Sequence, residues 1–287
     1  MAKGDRQSIT AALRTSDLFT QITTITGALE DLAPTGIKRR SSYLSYRIAR
    51  LRYPRILRGP VSDAVFSPRV EKAVSVGKLA ASVVLLVVDA KSPTARAMRI
   101  VQMVGHIYGH VRVGGYGQDG SDHALSILHA SQMVASFSKP GSAAERAAFE
   151  FVAAQGILSY FASGIVKLIS PVWRAGAAMQ GITRSTSYGD ERLHIFMQRY
   201  PTVAKLVAWG TIIGETVSPL VLIMPSPLRA AWQGSMVSMH AGIARFMGLN
   251  RFFWAFTAFH PVIALTAARS FERLRRGNHR KRSDRAS

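Results

Sequence analysis

The stretch SYFASGIVKLISPVW, Ser159 to Trp173, decides how this chain is read. It closes a long apolar run that begins near Ala148, and it holds one lysine, Lys167. A charge at the centre of a membrane helix costs about 2.5–3.5 kcal/mol on insertion scales, so a lysine kept there marks a functional site by default. A second reading is equally open. Lys167 lies four residues before Pro171, near a helix end, where lysines run their stems along lipid and hold the ammonium at the interface.

Other apolar segments lie at 74–88, 124–137, 203–224, 230–249 and 252–268, with a weaker one at 98–113. Their length and spacing predict an all-α fold, a polytopic transmembrane helical bundle of six to seven membrane helices. The 287 residues carry a formal charge of +21. In a soluble protein that surplus suggests nucleic acid. Here residues 1–72 hold 13 Lys+Arg against 6 Asp+Glu, and residues 269–287 hold 8 against 2, so much of the charge flanks an apolar middle. Such flanks are expected on the cytoplasmic side, against anionic lipid. Three parts follow: a basic cytoplasmic segment over 1–72 with an amphipathic helix, a transmembrane domain over 73–268, and a basic, disordered tail over 269–287. The expected place is the cell membrane, multi-pass, with the lipid bilayer as partner and no nucleic acid. With both ends cytoplasmic the number of crossings is even, six if 98–113 is re-entrant or interfacial, which leaves Lys91, Arg96, Arg99 and Arg112 on the outer side. Absence of cysteine excludes disulfides, thiolate zinc sites and iron–sulfur ligation. The N-terminus has no apolar core of the signal-peptide kind, so no cleaved leader is expected.

Local signals refine this. Residues 8–32 have a helical pattern closed by Pro34 and Gly36, and 43–58 (YLSYRIARLRYPRILR) forms a basic amphipathic element. Gly105 and Gly109 have GxxxG spacing, which permits close helix contact. His106 and His110 are also four apart, but no third ligand is spaced to complete a site, so no metal is expected. Ser121 or Asp122 suits the N-cap of the helix at 124–137. That helix and the one at 148–169 are consecutive and antiparallel, which places His123 and Lys167 at similar depth. Glu215 sits in mid-span, where it either pairs with Lys167, His240 or Arg245 or relays protons. His129, His194 and His260 read as packed polar residues. Tyr160, Phe161 and Trp173 can pack on a planar ring or anchor the interface.

These residues resemble a known pattern. YFASGIVKLISPVW is similar to a segment of the vitamin K-dependent gamma-glutamyl carboxylase family and its bacterial relatives, the HTTM-domain proteins. In that segment an aromatic pair precedes a small residue, a glycine, a lysine–leucine pair and a tryptophan. SDHALSIL, GETVSPLVLIMP and MHAGIARFMGLNRFFWAFTAFHP extend the resemblance over roughly 74–268. It implies that Lys167 is the base toward a reduced quinone of vitamin K or menaquinone type, that His123 assists it, and that Glu215 and His240 support the site. Tyr160, Phe161, Trp173, Glu215 and His240 are then the substrate- or quinone-binding residues. The implied function is that of the membrane half of a carboxylase acting on a peptide or small protein, with an accessory subunit as a further partner. Three departures from the resemblance stand out: one lysine replaces the family's pair (Val166–Lys167), Gly242 and Ile243 stand where the family has a polar residue just after the later histidine, and no large extracytoplasmic domain is expected after the apolar region. The missing domain favours the alternative of a non-catalytic membrane partner in peptide maturation, export or immunity, whereas the retained Lys167 and His123 favour the enzyme.

Overall fold

A computed structural model describes residues 3–33, 46–55, 58–114, 118–186 and 188–283. Among them every regular element is helical: α1 (Lys3–Leu32), α2 (Tyr46–Ala49), α3 (Pro60–Val65), α4 (Pro68–Val87), α5 (Pro93–Val113), α6 (Gly120–Phe137), α7 (Ala143–Ile169), α8 (Pro171–Arg174), α9 (Ala177–Thr183), α10 (Glu191–Arg199), α11 (Pro201–Thr216), α12 (Ser226–Met247), α13 (Asn250–Thr257) and α14 (His260–Ser283). Two 3-10 turns, Arg50–Arg52 and Ser218–Leu222, complete the list. The chain is all-α. It divides into two compact units, Asp17–Ala148 and a second made of Met1–Ser16 with Phe149–Ser287.

The helix limits follow from local chemistry. Proline at the first helical positions starts α4, α5, α8, α11 and α12, where its missing N–H is one of the unpaired donors anyway. Ser92 caps α5 by accepting from the Ala95 amide, and Gly114 ends it in the left-handed region at φ +58°, which only glycine adopts without strain. The cap of α6 lies ahead of both expected residues. Asp119 takes that place, and Asp122 closes a capping box by accepting from the Asp119 amide at 3.1 Å. Pro219 stops α11 early, so the apolar run 203–224 is a helix and a 3-10 turn rather than one straight span.

In the unit Asp17–Ala148 the usual burial pattern is inverted. Helix α5 buries Arg99, Gln102, His106 and Arg112 while Ile100, Val101, Val104, Ile107 and Val111 are exposed. Asp17 receives two hydrogen bonds from the Arg99 guanidinium, at 2.7 and 3.1 Å, and one from Gln21 at 2.7 Å. Arg99 also donates to Gln132, whose amide donates to Thr20 at 2.8 Å, and Gln102 donates to Gln21 and to Ser82. The second half of α1 thus carries Thr20, Gln21 and Thr24 inward. In the sequence the same residues belong to the cytoplasmic flank, because a polar stripe reads the same whether it faces water or a buried guanidinium. Of the other cations that the topology left outside, Arg112 pairs with Glu71 at 2.9 Å and Lys91 with Glu145 at 2.7 Å, while Arg96 donates to the Ser136 carbonyl at 3.1 Å. The Lys91 ammonium also donates to the Ala135 and Ser138 carbonyls at the end of α6, where the helix dipole favours a cation.

Of the amphipathic element at 43–58, residues 43–45, 56 and 57 lie outside the described residues; 46–52 form α2 and the first 3-10 turn, which ends at Tyr53. At the other end, α14 continues to Ser283, so the basic residues of 269–283 lie on helical backbone. By length and composition, one helix among the described residues, α7, is long and apolar enough to cross a membrane.

Candidate functional site

Four residues of α7, Tyr160, Ser163, Gly164 and Lys167, are spaced i, i+3, i+4 and i+7 and so share one face. Opposite lies the end of α11. A methyl added at Gly164 would meet the Thr216 amide nitrogen at 2.5 Å, so glycine lets the two backbones meet there. The close approach brings the Lys167 ammonium to 2.6 Å from Glu215 Oε2, and the same ammonium donates to Ser163 Oγ. Trp173 lies beneath it, with the ammonium 5.1 Å from the ring centroid. The side chains of Lys167 and Glu215 are 16% and 7% exposed. Glu215 stands in the last turn of α11, whose partial negative charge opposes a carboxylate and favours a cation. Lys167 answers both. Of the three partners open to Glu215 in the sequence, the structure selects Lys167, while Arg245 lies over the Phe246 ring instead.

Two turns back along α7, Tyr160 is 1% exposed. Its hydroxyl stands 3.0 Å from His240 Nε2 on α12 and 3.1 Å from His260 Nε2 at the start of α14. Phe256 stacks on His240 with centroids 4.6 Å apart, and Trp232 sits edge-on to Tyr160 at 5.7 Å. The Trp232 indole donates to the Gly214 carbonyl at 2.7 Å, one residue before Glu215, and so joins this cluster to the ion pair. Near that pair the Thr216 hydroxyl is buried without a hydrogen-bond partner among the described residues.

Five of the seven residues singled out from sequence, Lys167, Glu215, Tyr160, His240 and Trp173, therefore belong to one cluster in the Phe149-containing unit. Phe161, one position round the helix from Tyr160, is half-buried and makes no ring contact among those observed between described residues. His123 is exposed and belongs to the other unit, where its ring lies 6.3 Å from that of His110. His110 Nε2 is in turn 2.9 Å from His106 Nε2. Among the described residues no group of three or more His, Cys, Asp or Glu side chains is placed to hold a metal.

Sequence reasoning missed Ser163, Gly164, Trp232 and His260. Ser163 and Gly164 carried a signal, lying four and three residues before Lys167 on its own face. His260 carried none, since the Tyr160 hydroxyl that its ring meets lies 100 residues away. Compared with known proteins, the chain matches no family model, no curated protein and no solved structure.

Proposed function

We propose that the protein is a multi-pass membrane protein whose buried Lys167–Glu215 pair takes a proton from a reduced quinone drawn from the bilayer, in the modification of a peptide or small protein. Support for the membrane comes from the burial pattern. With 20, 21 and 18 residues, α4, α5 and α6 are about 30, 32 and 27 Å long, close to the ~30 Å hydrocarbon thickness. They turn serine, glutamine, histidine and arginine inward and valine, isoleucine and phenylalanine outward. In water that arrangement is costly, whereas in lipid it is the expected one.

The observation that carries the chemistry is the 2.6 Å contact between Lys167 and Glu215 within this interior. A lysine acts as a base only as the neutral amine, so in this reading the proton shared by the pair must pass to the carboxylate before Lys167 takes one from the quinol. Ser163 and Trp173 orient the amine. Of the residues present, the half-buried Trp173 offers a quinone an aromatic face beside the Lys167 amine. A bound hydroquinone would supply an acidic hydroxyl and reducing equivalents for oxygen.

The same contact also favours the second reading, a non-catalytic membrane partner in which the pair only fixes α7 against α11. Purified protein given reduced menaquinone and oxygen separates the two. Consumption of both, abolished by Lys167→Ala, is expected of the enzyme; no consumption by the wild type, with a lowered unfolding temperature for Lys167→Ala, is expected of the partner.

A further inference from the structure

The Tyr160 hydroxyl has one proton and two imidazole neighbours, His240 Nε2 at 3.0 Å and His260 Nε2 at 3.1 Å. If both rings presented N–H, the hydroxyl proton would have no acceptor. If both presented lone pairs, one of them would face the phenol oxygen with nothing between. The three facing atoms are satisfied in only one pattern: one ring donates its Nε2–H to the phenol oxygen, and the phenol donates to Nε2 of the other ring. The two neutral histidines are then opposite tautomers. That assignment reaches the far side of each ring, because Nδ1 of His240 and Nδ1 of His260 are both buried with no partner among the described residues. One carries a proton and the other a lone pair.

We infer that His240, Tyr160 and His260 form a proton relay whose two terminals are those Nδ1 atoms. A proton arriving at the bare Nδ1 forms an N–H bond there and makes that ring an imidazolium. The ring passes its Nε2 proton to the phenol oxygen while the phenol passes its own to the second Nε2, and the second ring releases its Nδ1 proton. Three bonds to hydrogen break and three form, so one proton enters, one leaves and no charge stays behind. Afterwards both tautomers are reversed and the chain is set to run backwards. This suits a site that takes up a proton and returns it within each cycle.

The surroundings keep the relay intact. Tyr160, His240 and His260 are 1%, 2% and 7% exposed, and Phe256 and Trp232 cover the rings that water would otherwise bridge. Gln233 donates to the His260 carbonyl at 3.1 Å and holds α14 in register. Trp232 and the common face of α7 link the relay to Lys167 and Glu215. The relay holds whatever those two residues act upon, and its test needs no substrate.

The full chain, labelled with 15N at the histidine rings and held in lipid nanodiscs, tests it by nitrogen NMR, with signals assigned from His240→Asn and His260→Asn. The expected spectrum shows one ring of the pair protonated at Nδ1 and the other at Nε2, in exchange with the reversed pair. Exchange slows several-fold in heavy water and is lost in Tyr160→Phe. Identical tautomers overturn the proposal, and so does exchange that persists in Tyr160→Phe. If Tyr160→Phe fails to fold, the heavy-water measurement on the wild type decides, and an unchanged exchange rate there is fatal.

Discussion

The two units bury polar side chains to different ends. Around Arg99 nearly every donor meets an acceptor: the guanidinium holds Asp17 twice and Gln132 once, and Gln102 donates to two partners. What stays unpaired there, Arg99 Nε and Gln102 Oε1, belongs to groups already bonded elsewhere. Around Lys167 the network is smaller, and its open atoms are chemically active ones, two imidazole nitrogens and the Thr216 hydroxyl. A saturated polar core specifies one packing and locks it. A core with open basic nitrogens beside an ion pair can still exchange protons. The first unit is read as scaffold and the second as the place of chemistry.

If that contrast is right, substitutions in the two units should differ in kind. The largest effect is expected from Arg99→Ala, which leaves Asp17 buried without its cation and should cost about 3–5 kcal/mol in a reversible unfolding measurement. Asp17→Ala in the same background should restore part of the loss. Gly164→Ala comes next. Its methyl has no room against the Thr216 backbone, so about 1–3 kcal/mol should be lost by the same measurement. Lys167 would then be drawn from Glu215, and turnover should fall with stability. Replacing both charges together, Lys167→Met with Glu215→Gln, sharpens the contrast further, because swapping a buried pair for less polar groups is often neutral. The unfolding midpoint should stay close to wild type while quinol consumption is abolished. Asp119→Ala removes a helix cap in the scaffold unit and should cost about 1 kcal/mol without touching chemistry. The smallest effect on stability is expected of His123→Ala, within about 0.5 kcal/mol, since that ring is exposed.

Much of this was legible in the residues. The runs at 124–137 and 148–169 are α6 and most of α7, and the charges inside apolar runs pointed to Lys167 and Glu215. Their pairing was not readable. It spans 48 positions and depends on a glycine that allows contact between two helix backbones. Tyr160 stood out for its ring, whereas in the structure its hydroxyl makes the polar contacts, between two histidines on other helices. The Arg99 core was hidden for a different reason. Periodicity shows that Thr20, Gln21, Gln102 and Gln132 lie on stripes, but not whether a stripe faces solvent or another stripe.

The proposed membrane setting requires the outward apolar side chains to face lipid. Because the chain has no cysteine, single cysteines report directly on each face. Val104→Cys and Leu206→Cys place a thiol on outward positions that are 61% and 67% exposed, one in each unit. In native membranes both should resist a charged, water-soluble maleimide and react with a lipid-soluble one, while Glu191→Cys reacts with both. Labelling of the thiols introduced at positions 104 and 206 by the charged reagent, as fast as at position 191, would contradict the account.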